Sequence, residues 1–505
     1  MAVDSDTVKC FSLVFLSLLV SPISLVVLCL STIKNLINRN SEFLQDATRN
    51  KTPQRTILVT GVSMAKGLTL ARAFYLCGHR VIGADLEDRF IPCSGRFSKS
   101  LSAFYRLPKP SSSDLKKTYI DTLVQIIKHE GVDIWVSCSG LARAIEDAEA
   151  KEAIEDQTMC KCIQFDVDTT SLLHEKNTFM RACLERGLPV PDTHEVTSGD
   201  QVMQFLASSE LLRPRRKYIL KPLNLYRGDM TLLPLPSEIM TKEHVSRLSI
   251  SPSTPWILQQ FIPGGEEYCT HALVVRGKLK CLVACPSSDL VMHYTPLPQD
   301  DVLWHDLRDF NIKFLERFPA SERMTGHLSF DFMVTKANKG GPEKTIYAIE
   351  CNPRAHTAVV LFAQQGPEMR DMIRAYLSAV EEPQVSSIVD AKGVSGQKSG
   401  CEETLVTPPR VCSSRYWIGN DIISLLFRPI LHLITGSAGF GDVSASGLRF
   451  LGHMLTWKEA SFEFWDPLPA LMLYHVYMPL TILAAWWQGK RWIRVNVSTT
   501  KLLVC

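Results

Sequence analysis

Between His327 and Phe362 the chain reads HLSFDFMVTKANKGGPEKTIYAIECNPRAHTAVVLF, and carboxylates, an amide, a guanidinium and an imidazole recur there at spacings that suit chemistry. Side chains alternate sides along a β-strand, so in LSFDFMVT Asp331 stands opposite Phe330 and Phe332, while Glu350 and Asn352 share one face of TIYAIECNP. A hairpin of the two strands brings two carboxylates and an amide to one small volume. Such oxygen ligands suit Mg²⁺, with Mn²⁺ as the alternative, because a hard cation takes one or two carboxylates and completes its shell with water and phosphate oxygens. Arg354, just past the second strand, stands where a planar guanidinium grips a phosphate, and His356 follows two residues on. Taken singly each is an ordinary solvated side chain. Gathered together, carboxylates call for a cation or a proton to hold them.

The elements that must position these groups are legible in the surrounding pattern. The two strands are joined by a Gly-Gly-Pro loop, and Pro353 ends the second. Upstream, TILVTG is a buried-strand run, GVSMAKG a glycine-bounded turn, LTLARAFYLCG an amphipathic helix and HRVIGAD a strand ending in Asp85. A helix around Leu115 to His129 and the strand VDIWVSC follow, which predicts a parallel doubly wound sheet. Asp85 invites a dinucleotide reading, but Gly61 and Gly67 enclose five residues and no GxGxxG is present, so this domain is assigned to the substrate side.

With 505 residues the chain is long enough for two or three domains, and a net charge of +3 without a basic stripe excludes a nucleic-acid binder. Its 15 cysteines show no paired CxxC spacing and read as buried thiols of a reducing compartment. From Phe11 to Leu30 runs FSLVFLSLLVSPISLVVLCL, about the length that crosses a bilayer core. No small-x-small cleavage site follows it, and Lys34, Arg39, Lys51 and Arg55 lie beyond it. The expected topology is therefore an anchor in the lipid bilayer with the catalytic part in the cytoplasm, where the glycosylation tripeptides at Asn50 and Asn496 go unused.

Further along, Lys176 lies in a helix that ends at Gly187, RKYILKPL is a strand carrying Lys221, and WILQQFIPGGEEYCTHALVVRGKLKCLVAC reads as a strand, a Pro-Gly-Gly turn and two more strands. Two lysines, a strand-to-turn segment ending in acids, and then the Asp and Glu-x-Asn pair: in that order the chain resembles the ATP-grasp superfamily. The resemblance implies an α/β (α+β) fold in which ATP lies between two antiparallel sheets, behind an N-terminal parallel-sheet domain. It implies that Lys176 and Lys221 contact ATP, that Gln259, Gln260, Phe261 and Ile262 form the adenine hinge, and that Glu266 or Glu267 holds the ribose. Asp331, Glu350 and Asn352 would then carry the metal, with Arg354 on the transferred phosphate or the substrate.

KYILKP, WILQQFIPGGEEYCTH, LSFDFM, YAIECNPRAHTAVVLF and YW...DPLPALMLYH further resemble the cyanobacterial mycosporine-glycine synthase family, over most of the chain from about Phe11 to Trp487. That resemblance implies small-molecule substrates: phosphorylation of the cyclohexenone 4-deoxygadusol by ATP and condensation with glycine. His271, Arg354 and His356 are the candidate catalytic contacts, with neutral His356 a candidate to take the amine proton. The loop after Lys221 holds only Gly228, and Arg227 is the candidate for the missing positive charge; Gln260 stands where a carboxylate is expected. Two other readings stay open, a carboxylate-amine ligase working through an acyl phosphate and a non-catalytic nucleotide-binding membrane protein. A homodimer is compatible with all three.

The expected organisation is an anchor and linker (1–54), a Rossmann-like domain (55–165), an ATP-grasp domain (166–380), a mobile linker or insertion (381–415) and a C-terminal helical segment (416–505). In the last, IISLLFRPILHLI is followed by VYMPLTILAAWWQGKRWIRV, whose apolar run is too short to span but whose tryptophans and cations suit a membrane interface.

Overall fold

The structure, a computed structural model, describes residues 5–37, 53–140, 143–212, 216–223, 229–287, 292–318, 323–335, 345–381 and 404–504. Arg227 and Gly228, the Gly-Gly-Pro loop and 382–403 lie outside the described residues.

The first sheet is parallel throughout, in the order β3-β2-β1-β4-β5, with β1 at Thr56–Thr60, β2 at Arg80–Leu86, β3 at Ala103–Leu107, β4 at Ile134–Val136 and β5 at Lys161–Ile163. Its strands are continuous apolar runs because both faces are covered, as a parallel sheet requires. Between β1 and β2 lies helix α2 (Ala65–Leu76); α1 is the N-terminal helix, Ser5–Ile37. Gly67 in the first turn of α2 packs so closely on Gly61 that a Cβ there would lie 2.3 Å from the Gly61 carbonyl oxygen. The five-residue glycine spacing is thus a packing device, consistent with the rejected dinucleotide reading. Asp85 is held internally, its Oδ2 accepting from Ser63 N at 2.8 Å and from Ser63 Oγ at 2.5 Å.

Two four-stranded antiparallel sheets follow. One runs β6-β9-β7-β8, with β6 at Thr193–Val196, β7 at Tyr218–Pro222, β8 at Asp229–Leu233 and β9 at Trp256–Gln260. The other runs β11-β10-β12-β13, with β10 at Glu266–Val275, β11 at Lys278–Pro286, β12 at Gly326–Val334 and β13 at Ile346–Asn352. Alternation divides the second sheet cleanly. Phe330 and Phe332 pack with Phe179, Phe310 and Phe314 in one buried cluster, each such ring contributing about 2–3 kcal/mol of burial. The opposite face carries Glu267, Cys269 and His271 of β10, Asp331 of β12 and Glu350 and Asn352 of β13.

The C-terminal part differs from the expectation in three ways. Residues 404–415 are not a free linker: Val406 N donates to Lys280 O and Leu282 N to Val406 O, both at 2.9 Å, extending the sheet at β11. The apolar run near the end is longer than the sequence suggested, because the helix starts upstream and Leu468–Trp487 gives 20 residues, enough by length to cross a membrane. Finally, the chain closes on a β-hairpin, β14 (Trp492–Asn496) and β15 (Lys501–Val504), where only helix was expected.

This segment docks on the first domain through a buried ion pair. Arg72 Nε reaches Asp466 Oδ2 at 2.8 Å, Ser98 Oγ donates to the same oxygen at 2.5 Å and Lys99 N to Oδ1 at 2.8 Å. Helix α1 lies along the same segment, its ends held by Lys9 Nζ on Trp492 O (2.9 Å) and Asn35 Nδ2 on Phe464 O (2.9 Å), its middle by Ser17 Oγ on Tyr474 O (2.9 Å).

Candidate active site

In the β12–β13 register Asp331 lies directly opposite Glu350 and Ser329 opposite Asn352, with a bulge just after Asp331. A bulge beside an edge strand re-aims a side chain, and β13 is an edge of this sheet. Here Asn352 Nδ2 donates to Asp331 Oδ2 at 3.0 Å, and Arg354 Nη2 donates to Asn352 Oδ1 at 3.2 Å. The expected triad and the guanidinium therefore form one chain of contacts.

Both lysines reach it from the other side. Lys176 opens helix α3 (Lys176–Glu185) and its Nζ lies 3.4 Å from Glu350 Oε2. Lys221 Nζ, on β7, donates to Gln259 Oε1 at 2.8 Å; burial, then the Lys176 charge, lowers its pKa to about 8 against the pull of Glu350 and Glu267. The ammonium groups thus stand between the two antiparallel sheets, facing the carboxylates.

Asp331 is the informative group. Burial first, then the charges of Glu350 and Glu267, raise its pKa to about 8, while Arg354 and Lys176 pull the other way. Glu267 shares the face of Asp331 by register, Glu267 pairing with Met333 and Cys269 with Asp331. Glu266 points the other way, where its Oε2 accepts from Tyr268 OH at 3.0 Å. Glu350 and Glu267, whose charges raise the proton affinity of Asp331, gather with it as oxygen donors of the kind a hard divalent ion fits. Cys269, Asp331 and His356 also place possible ligand atoms within 4.8 Å of one another, but a thiol does not suit Mg²⁺.

The hinge is more occupied than expected. Gln260 N donates to Asp192 O (2.7 Å), Phe261 N to Lys217 O (2.8 Å), and Gln260 Oε1 accepts from Asp192 N (3.3 Å). The Gln260 side chain is thus engaged within the protein, and buried Gln259 bridges Lys221 to Thr193 Oγ1 (3.2 Å). Buried Ile262 has no hydrogen bond on its N–H among the described residues.

The histidines need a correction. His356 Nδ1 accepts from Ala358 N at 3.2 Å, and His271 Nδ1 accepts from His356 N at 3.2 Å. A nitrogen that accepts from a backbone N–H carries no proton, so each neutral ring holds its hydrogen on Nε2 and presents a donor. Burial pushes His271 down to about 3 and lowers His356 as well, so both stay neutral. The lone pair His356 would use to take an amine proton is already engaged.

Sequence reasoning missed Lys66, in the turn between Gly61 and Gly67. It is buried, and its Nζ donates at 2.8 Å both to Ser139 O of the first domain and to Ala355 O, between Arg354 and His356. The signal was a lysine in a glycine-bounded strand-to-helix turn. Arg143 and Lys501, which also act on Lys66, left no local signal.

No protein-family model matches the sequence, and no curated protein matches it. Among solved structures, similar folds occur in an ADP complex of purK, N5-carboxyaminoimidazole ribonucleotide synthetase (16% identity, 64% of this chain and 77% of that one, TM-score 0.46). Others are the L-amino acid ligase from Bacillus licheniformis (16%, 62% and 69%, 0.41) and a biotin carboxylase complex from Campylobacter jejuni (16%, 64% and 71%, 0.45). Likenesses at these scores carry nothing further; the residues of this chain do.

Proposed function

We propose that this chain is an ATP-dependent, ADP-forming ligase of the ATP-grasp kind that forms a C–N bond. The observation that carries the reading is the register that sets Asp331 against Glu350, with Asn352 on the one carboxylate and Lys176 on the other. Without nucleotide, the lysines and carboxylates neutralise one another. A triphosphate with its metal fits the same groups by exchanging partners: phosphate oxygens for the lysines, the cation for the carboxylates.

Asp331, Glu350 and Asn352 would hold Mg²⁺, with Glu267 joining them in place of the ribose role. Bound there, the ion supplies charge neutralisation on the phosphates. Lys176 and Lys221 fix the phosphates, and the Arg354 fork neutralises charge on the group in transfer. Nε2–H of His356 and of His271 orient an oxygen of the acceptor or its phosphorylated form. The amine proton leaves by way of the acceptor or solvent. Ile262 N–H is the hinge group that offers adenine a donor.

The finer reading is that the acceptor is the enolic oxygen of 4-deoxygadusol and the amine is glycine, giving mycosporine-glycine. What supports it is the family resemblance of the segments quoted above. A carboxylate-amine ligase working through an acyl phosphate uses the same groups. The test is to incubate the purified full chain in detergent with ATP, Mg²⁺, 4-deoxygadusol and glycine, in parallel with a panel of carboxylic acids and amines. An ultraviolet-absorbing adduct with matching ADP supports the finer reading; dipeptide-type products support the other. ADP release that no acceptor stimulates counts against both.

The same reading places the enzyme on a membrane, with its catalytic domains on the cytoplasmic side. Thr7–Ile37 is apolar and 31 residues long, and Leu18, Leu19 and Ile23 on it are exposed, as are Leu448, Leu455 and Trp487 of the C-terminal segment. Apolar surface on both, next to cations, fits a bilayer and its headgroups.

A further inference from the structure

In the first sheet the chain leaves β1 toward β2 and β3 on one side, while β4 and β5 lie on the other. The carboxyl ends of β1 and β4 thus flank the point where strand order reverses, where open parallel sheets bind ligands. Lys66 reaches into this crevice from the β1 side and Ser139 and Gly140 close it from the β4 side. The backbone of Ala355 roofs it.

Lys66 is buried, yet both groups it bonds are neutral carbonyls, and no carboxylate lies within ion-pair distance of it among the described residues. An ammonium carries three donors, so one is left. A buried charge without a counter-charge is costly. Burial above all, and then the charges of Arg354, Arg143 and Lys501, hold its pKa well below the ordinary lysine value. An anion held beside Lys66 and Lys501 would favour the charged form of both.

Lys501 is brought in by the C-terminal hairpin. It pairs with Asn496, and the turn between the strands is tied to α2 where Ser498 O accepts from Ala65 N at 2.9 Å, one residue before Lys66. Its Nζ lies over Gly140, where a Cβ would stand 2.7 Å from it. Only glycine leaves the ammonium this place. Lys501 has no ion pair among the described residues, and it is exposed, so it stands at the mouth while Lys66 forms the floor.

We propose that this crevice is an oxyanion subsite for the acid group of the acceptor or amine substrate, with Lys66 as its floor, Lys501 of the C-terminal hairpin as its outer clamp, and Arg354 linking it to the phosphate-transfer site. The proposal rests on the ligase reading above. It makes the last β-hairpin a part of the active site and an anionic co-substrate a requirement.

The experiment is isothermal titration of the full chain in detergent, with AMP-PNP and Mg²⁺ saturating the triphosphate site. Inorganic phosphate is titrated in one arm and malonate in the other. Lys501→Gln, an exposed change, is compared with wild type. Loss of one charge-assisted contact is expected to weaken the oxyanion on the order of tenfold in Lys501→Gln. The arm that binds more tightly identifies the acid group as phosphate or carboxylate. In turnover, Lys501→Gln raises the KM of the anionic substrate and leaves that of ATP unchanged. Equal oxyanion binding by wild type and Lys501→Gln, or none in either arm by wild type, overturns the proposal. If AMP-PNP itself fails to bind, the ligase reading fails instead, and the difference in malonate binding between wild type and Lys501→Gln still decides the subsite.

Discussion

Asp331→Asn isolates the electrostatics of the proposed metal site with little change of shape. In the metal-free protein the Asp331 pKa is raised from its ordinary 3.8 to about 8. Between those values the folded protein keeps a proton that the unfolded chain has released, so stability is full below pH 4 and declines as pH rises toward 8. The rise spans about four pH units, and at about 1.4 kcal/mol each the ceiling is about 6 kcal/mol. Partial exposure and relaxation of neighbouring charges leave about 2–4 kcal/mol between pH 5 and 8. A divalent ion reverses this, because it binds the ionised form, so its stabilisation grows with pH. The assay is thermal unfolding of the full chain in detergent at pH 5, 6, 7 and 8, with and without Mg²⁺. Wild type is expected to lose stability with rising pH and to recover it with Mg²⁺; Asp331→Asn is expected to show a flatter profile, little response to Mg²⁺ and no ADP-forming turnover. A Mg²⁺ effect that is the same at every pH, or a folded variant with full turnover, refutes the reasoning.

Other substitutions test neighbouring steps. Glu267→Gln removes a charge that raises Asp331, so it is expected to lower the pH at which Mg²⁺ begins to stabilise the protein and to weaken Mg²⁺-dependent turnover, while Glu266→Gln leaves both unchanged; metal titrations of ADP release read the difference. Gly67→Ala gains about 1 kcal/mol of helix propensity but drives a methyl into the Gly61 carbonyl, and overpacking of about 1–3 kcal/mol or more is expected to win, seen as a lower unfolding midpoint. Asp466→Ala strands the buried Arg72 guanidinium, with an expected loss of about 3–5 kcal/mol in chemical denaturation. Removing residues 1–37 is expected to weaken sedimentation with anionic vesicles without abolishing it, since Trp487 and its neighbours remain.

The facing of the side chains on the β12–β13 hairpin was legible because strand alternation is a local rule: once LSFDFMVT and TIYAIECNP are strands, Asp331 must face away from Phe330, and Glu350 must share a side with Asn352. Buried apolar runs likewise announced the parallel sheet, and a long uninterrupted one announced α1. Choices between adjacent residues were not legible. Glu266 and Glu267 differ only in which face of β10 they occupy, and pairing with β12 decides that. His356 reads as a base in sequence, yet a backbone N–H two residues on takes its lone pair. The meeting of Lys176 with Glu350, of Arg72 with Asp466, and of Lys66 with the carbonyl of Ala355 joins residues far apart in the chain. Charges carry no local pattern that names their partners; burial selects them, because a charge removed from water must find its contacts in whatever the fold brings beside it.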